Sequence, residues 1–161
     1  MIGIEEIYPL AVKFRRYFHQ HPEFAMQEVE TQRYIAEVLE QLTVQERKKI
    51  FRVLPVSMLG EIFEYVEENM NIYLDEMNVR KAEKCIAIRA DMDALKVKEE
   101  TGLPYCSQNE GMMHACGHDM HMAMVLGAAL VLKSGEDKLQ GTIKIVFQPS
   151  EEKRPGGARL L

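Results

Sequence analysis

Cys85-Ile-Ala-Ile-Arg-Ala-Asp-Met-Asp93 opens with a short β-favourable run and ends in two acids. The apolar positions read as a buried strand over 85–90, with Asp91 and Asp93 at its C-terminal end. Further along, Gly102, Pro104, Asn109 and Gly111 mark a loop that leads into His114-Ala-Cys-Gly-His-Asp-Met-His121. Met120 to Leu132 is apolar almost all round, which predicts a helix over 119–133 buried between layers and closed by Lys133-Ser-Gly135. Gly141 to Gln148 alternates, with Ile143, Ile145 and Phe147 on one face, and Pro149 ends this second strand just before Ser150-Glu151-Glu152. Strand, loop, helix, strand predicts a parallel unit of an α/β fold, where ligands bind beyond the C-terminal edge of the strands.

Upstream, residues 4–20 carry Ile4, Ile7, Leu10, Phe14 and Phe18 on a broad apolar helical face that should stop near His21-Pro22. A second helix is expected to run to Leu42, with Tyr34, Ile35, Val38 and Leu39 at helical spacing. Thr43-Val-Gln-Glu46 reads as a capping box that starts a new helix ending at Pro55. Further helical pieces are expected around Met58 to Asn69 and Ile72 to Met77, so the span 43–84 reads as all-helical, with a charged outer face.

At 161 residues and 47% hydrophobic composition the chain can bury a real core. A net charge of -5 with scattered cations argues against a nucleic-acid partner. The longest apolar run, Met122 to Leu132, is well short of the roughly 20 residues a bilayer span requires, so no membrane segment is expected. The acidic pair near the N-terminus is unlike a secretory signal, and three cysteines are too few for a disulfide framework. Both point to a cytoplasmic protein. Cys85 and Cys106 are expected to act as small buried hydrophobes.

Two predicted strands thus end in paired carboxylates, Asp91/Asp93 and Glu151/Glu152, and the buried helix begins with Cys116, His118 and His121. Several carboxylates in a poorly solvated cleft are costly unless a cation neutralises them, and thiolate, imidazole and carboxylate together suit zinc or a similar divalent metal. Placement near a helix N-terminus is expected to favour the Cys116 thiolate. A lone histidine at a helix start is more often a cap or a solvated side chain, and His19, His21 and His121 are read that way. An adjacent Glu-Glu pair is usually surface. For Cys116, His118, Glu151 and Glu152, spacing alone leaves a metal site level with that bland alternative.

The same residues are recognisable as a set. His19-Gln-His-Pro-Glu23, Arg89-Ala-Asp-Met-Asp-Ala94, Glu100-Thr-Gly-Leu-Pro-Tyr105, Met113-His-Ala-Cys-Gly-His-Asp119 with His121, Leu126-Gly-Ala-Ala129 and Phe147-Gln-Pro-Ser-Glu-Glu152 followed by Gly156-Gly-Ala158 occur in this order. Together they resemble the signature segments of the amidohydrolase and aminoacylase metallopeptidase superfamily, in the hippurate-hydrolase and auxin-conjugate-hydrolase branch that carries a cysteine in its metal site. The resemblance implies an incomplete αβα zinc-peptidase-like layer formed by 1–42 and 85–161, with 43–84 as an all-helical insertion. It also implies Cys116 as a ligand shared by two metals, His118 on one and Glu152 on the other. Glu151 would be the general base and Asp93 the carboxylate that orients the ligands from behind. The implied cofactor is a divalent metal, zinc first, with manganese, cobalt or nickel as alternatives. The implied reaction is hydrolysis of an N-acyl amino acid or related amide by metal-activated water.

Three departures accompany the resemblance. Lys96 stands where the family has proline, which should loosen the turn after the first strand. The chain ends at Leu161, before the family's further histidine ligands and dimerisation domain, so an incomplete or inactive fragment is expected. Finally, 43–84 resembles the helical N-terminal domain of bacterial magnesium channels, which leaves a non-catalytic binding or regulatory module on a degenerate hydrolase scaffold as the alternative function. A two-stranded sheet is marginal by itself, so pairing with another copy is a further expectation.

Overall fold

A computed structural model of the chain describes residues 2–44 and 85–160. The helices expected between 45 and 84 lie outside the described residues, as does the division of the chain at that segment. The described elements are helix α1 (Ile4–Gln20), helix α2 (Val29–Val44), strand β1 (Cys85–Asp91), helix α3 (His118–Ser134) and strand β2 (Thr142–Gln148), each close to its predicted bounds. α2 continues through Thr43, where a new helix was expected to start, since nothing in Gln41-Leu42-Thr43 breaks it.

β1 and β2 pair in parallel, with Cys85 opposite Thr142 and Asp91 opposite Gln148. Parallel neighbours require a crossover, and the chain between them supplies α3. α3 packs against both α1 and the sheet, which is the interlayer position its composition predicts. Its contact with α1 is close at Gly127, where a Cβ would lie 3.4 Å from Ile7 Cγ2. The core joins Phe14 and Phe18 of α1, Ile35 and Leu39 of α2, and Met122 and Leu126 of α3. The fold is therefore α/β, with a small parallel sheet under helical cover.

Burial departs from expectation in three places. α3 is not enclosed all round: Met120 and Met124 are 52% and 57% exposed. β1 is buried only at its Ala90-Asp91 end, and Ile86 is 64% exposed, because among the described residues the helical cover reaches only the C-terminal half of the strand. Cys85 and Cys106 are exposed thiols rather than core residues, one at the uncovered start of β1 and the other in a loop. The segment at Lys96 is held in place: Ala94 bridges Phe24, Leu95 bridges Met113, and the Lys96 ammonium stands 4.5 Å over the Phe24 ring. No described helix is long and apolar enough to cross a membrane.

Candidate metal centre

Three chain segments converge at the C-terminal edge of the sheet. β1 delivers Asp91 and Asp93. The Met92 N–H donates to Gln148 O at 2.9 Å, so the two strand ends are locked in register. α3 delivers His118 as its first residue. Gly117, at φ 101, makes the left-handed turn before it and sets Cys116 beside the helix start; only glycine adopts that conformation without cost. β2 delivers Glu151 and Glu152 through Pro149 and Ser150. That turn folds tightly on itself: a Cβ on Gly157 would sit 1.9 Å from Pro149 O.

The ligand atoms of Cys116, His118 and Glu152 lie within 4.8 Å of one another. Glu152 Oε1 is 3.8 Å and Glu151 Oε2 4.0 Å from His118 Nε2. Asp93 stands behind them, fully buried. Its backbone oxygen accepts the Nδ1 proton of His118 at 2.8 Å, and its Oδ2 accepts the Glu152 N–H at 2.9 Å. With Nδ1 used as a donor, His118 presents its other nitrogen, Nε2, toward the carboxylates.

The electrostatics match a site shaped for a cation. A hydrogen bond donated by the thiol to Glu152, then burial, then the charges of Glu152, Glu151 and Asp91 push the Cys116 thiol up to about 11. This reverses the expectation of a thiolate favoured by the helix dipole, because the carboxylates beside the thiol act with the opposite sign. The hydrogen bond with Asp93 raises His118 to about 9 against the effect of burial. Burial works to raise Asp93, but hydrogen bonds from His118 and the amides of Glu152 and Glu151 hold it below the ordinary carboxylate range. A divalent ion would displace the proton that each shift favours, and the donor set is one that zinc accepts.

A second set, Asp91, His118 and His121, meets the same proximity. His121 was read as a cap or solvated side chain; it is half exposed, with Nδ1 3.8 Å from Asp91 Oδ2 and its ring 5.4 Å from that of His118. Because His118 has one free nitrogen, the two sets compete for it and cannot both be complete. Asp91 is moreover ion-paired with Arg89, which leaves the Cys116 set the better one.

The other histidines divide. His21 follows α1 and its Nδ1 donates to Tyr17 O at 2.7 Å, as a capping residue should. His19 is neither a cap nor solvated. It is buried, with Nδ1 2.7 Å from Asp119 Oδ2 and Nε2 3.0 Å from Glu99 Oε1, and so ties α1 to the start of α3 and to the loop after β1. His114 is also buried, has no hydrogen-bond partner on either ring nitrogen among the described residues, and is pushed down to about 4 by burial. Glu28 is fully buried and its Oε1 accepts the Ser150 N–H at 2.8 Å. Neither Glu28 nor Glu99 could be singled out by spacing, since each acts on a residue far away in the chain.

The fold and the donor set define a class: an α/β scaffold with a group of candidate metal ligands at the C-terminal edge of parallel strands. Residues 87–161, which carry the whole triad, match the sequence model of Peptidase family M20/M25/M40. Residues 32–99 also match the MgtE intracellular N domain, overlapping the first match at 87–99. The chain is 37% identical over 150 residues to an N-acetyl-L-cysteine deacetylase of Bacillus subtilis, covering 93% of this chain and 32% of that protein. It is 34% identical over 155 residues to an N-acyl-L-amino acid amidohydrolase of Geobacillus stearothermophilus, covering 96% of this chain and 37% of that protein. A solved Bacillus subtilis structure described as a dinuclear metal binding peptidase from the M20 family superimposes with a TM-score of 0.73 at 33% identity, covering 97% of this chain and 39% of that one. The chain thus spans about a third of the length of the curated relatives it matches.

Proposed function

We propose that the chain is part of a metal-dependent amidohydrolase that cleaves N-acyl amino acids or related amides. The observation that carries this reading is the meeting of Cys116, His118 and Glu152 within 4.8 Å at the strand ends. Relatives named for deacetylation of N-acetyl-cysteine and hydrolysis of N-acyl-amino acids support the substrate class. Cys116 would be shared by two ions, with His118 on one and Glu152 on the other. Zinc suits the donors; manganese, cobalt and nickel are the alternatives. When bound, a divalent ion supplies Lewis-acid polarisation of an amide carbonyl and of water.

The chain's own groups divide the remaining work. Glu151 is the general base in this reading: its side chain is 42% exposed, so substrate and water can reach it, and it sits beside His118 rather than among the buried carboxylates. The proton it takes from the attacking water would pass to the leaving nitrogen. Asp93 fixes the ring of His118 and the backbone of Glu152, so both ligands are set before an ion arrives. The thiols Cys85, Cys106 and Cys116, all exposed and unpaired, suit a reducing cytoplasm.

The test is metal content together with amine release from N-acetyl amino acids by the purified chain. Glu151→Gln should abolish turnover while keeping the metal, and Cys116→Ser should weaken metal binding without abolishing it. A chain that takes up no zinc, cobalt or manganese at stoichiometric level refutes the reading. The MgtE match over 32–99 favours a second one, a Mg²⁺-responsive helical module. That reading predicts a Mg²⁺-dependent change in helical signal that survives Cys116→Ser.

A further inference from the structure

α2 begins directly after Glu28, whose backbone oxygen accepts the Gln32 N–H at 3.1 Å and so starts the helix. An aspartate, asparagine, serine or threonine at that position would ordinarily cap the free amides of the first turn. Here Glu23 does that work instead: its two oxygens accept the N–H groups of Glu30 and Thr31 at 3.2 and 2.8 Å. The Glu28 side chain is thereby released from its own helix. It reaches Ser150, 122 residues away, and accepts its N–H at 2.8 Å while fully buried.

Ser150 needs such a hold. Its φ of 51 lies in the left-handed region that residues other than glycine seldom occupy, and such a conformation persists only where its surroundings over-determine it. Its three polar groups are all engaged: the N–H with Glu28, the carbonyl with the Gly157 N–H at 2.9 Å, and the hydroxyl with Lys153 O at 3.3 Å. Glu151 and Glu152 follow immediately, and the Glu152 N–H is bound in turn by Asp93. The turn is therefore strung between two buried acids, one from the start of α2 and one from the end of β1. Only the first is not already next to a ligand.

We infer that Glu28 is a positioning residue for the metal centre: by holding the Ser150 amide it fixes the left-handed turn that carries Glu152 toward Cys116 and His118. This rests on the proposed triad. Residues that orient ligands from behind commonly change metal affinity by about 10–100-fold when replaced.

The experiment uses Co²⁺ as the probe, reading affinity by chelator competition and coordination by visible absorption, with thermal unfolding of the metal-free protein alongside. Glu28→Gln keeps an acceptor for Ser150 and should bind Co²⁺ within a few-fold of the unaltered chain. Glu28→Met fills the same space without an acceptor and should lose about 10–100-fold, with a changed d–d spectrum. Ile35→Val, a core change elsewhere in α2, should lower the unfolding temperature without moving Co²⁺ affinity. Should Glu28→Met not fold, Glu28→Asp, one methylene too short to reach Ser150, must show the loss. Undiminished affinity in a folded Met or Asp variant overturns the inference, as does an equal loss in Glu28→Gln. Failure of the unaltered chain to bind Co²⁺ at all refutes the triad itself, a different outcome from either.

Discussion

Raising the pH should tighten metal binding steeply, and the number of protons involved follows from the site. Cys116 is held at about 11 and His118 at about 9, so at pH 7.5 both proposed ligand atoms should carry a proton in the metal-free chain. An ion can bond to sulfur only as thiolate and to Nε2 only as neutral imidazole, so each ion taken up must release both protons. The apparent affinity should then rise about 100-fold per pH unit below about pH 9, and about tenfold per unit between about 9 and 11, where only the thiol still has a proton to lose. Isothermal calorimetry of Zn²⁺ binding at pH 7.5, in buffers of different protonation enthalpy, counts the protons directly. The expected count is near two. Cys116→Ser and His118→Gln should each bring it near one, because each removes one titrating ligand. A count near zero in the unaltered chain would refute the assignment of thiol and imidazole as ligands, and an unchanged count in Cys116→Ser would refute the thiol alone.

Burial holds Glu28 at about 7 against its ordinary 4.5, so between these values the folded chain binds more protons than the unfolded chain and stability falls as pH rises. The full loss, reached above pH 7, is about 3 kcal/mol; Glu28→Gln should remove about that much of the stability difference between pH 5 and pH 8 in urea unfolding, and an unchanged difference counts against the buried charge. Leu126→Ala empties part of the core shared by α1 and α3, where the side chain is 0% exposed, and should cost about 2–5 kcal/mol by the same assay. Asp93→Asn weakens the contact that raises His118, so an NMR titration should find its imidazole below about 9; no movement would mean that another group sets it. Gly157→Ala forces a Cβ to within 1.9 Å of Pro149 O and must displace the turn, which should show as reduced Zn²⁺ affinity in a chain whose α1–α3 core stays folded.

The local chemistry was legible because it depends on neighbours in sequence. Helical spacing located α1 and α3, Pro149 marked the end of β2, and the acids at both strand ends could be placed on one edge as soon as the strands were read as parallel. The proximity of Cys116, His118 and Glu152 could be expected from that placement. What escaped was everything decided by packing depth. The thiol shift took the opposite sign to the helix-dipole argument because the distance from sulfur to Glu152 is a tertiary quantity. Ile86 and Cys85 looked like core residues, yet cover is supplied by α3, whose reach along β1 no periodicity encodes.

Among the described residues, sequence by itself located the helices and strands to within a few positions, the donors at the strand ends and the family they resemble, since periodicity and residue type act over a few positions. Only the tertiary structure decided that His19 is buried between two carboxylates, that His118 has a single nitrogen left to offer, and that Glu28 reaches across 122 residues to the turn bearing Glu152. Burial and long-range hydrogen bonds arise from how the chain folds back on itself, and no local pattern of residues records where that return brings two side chains together.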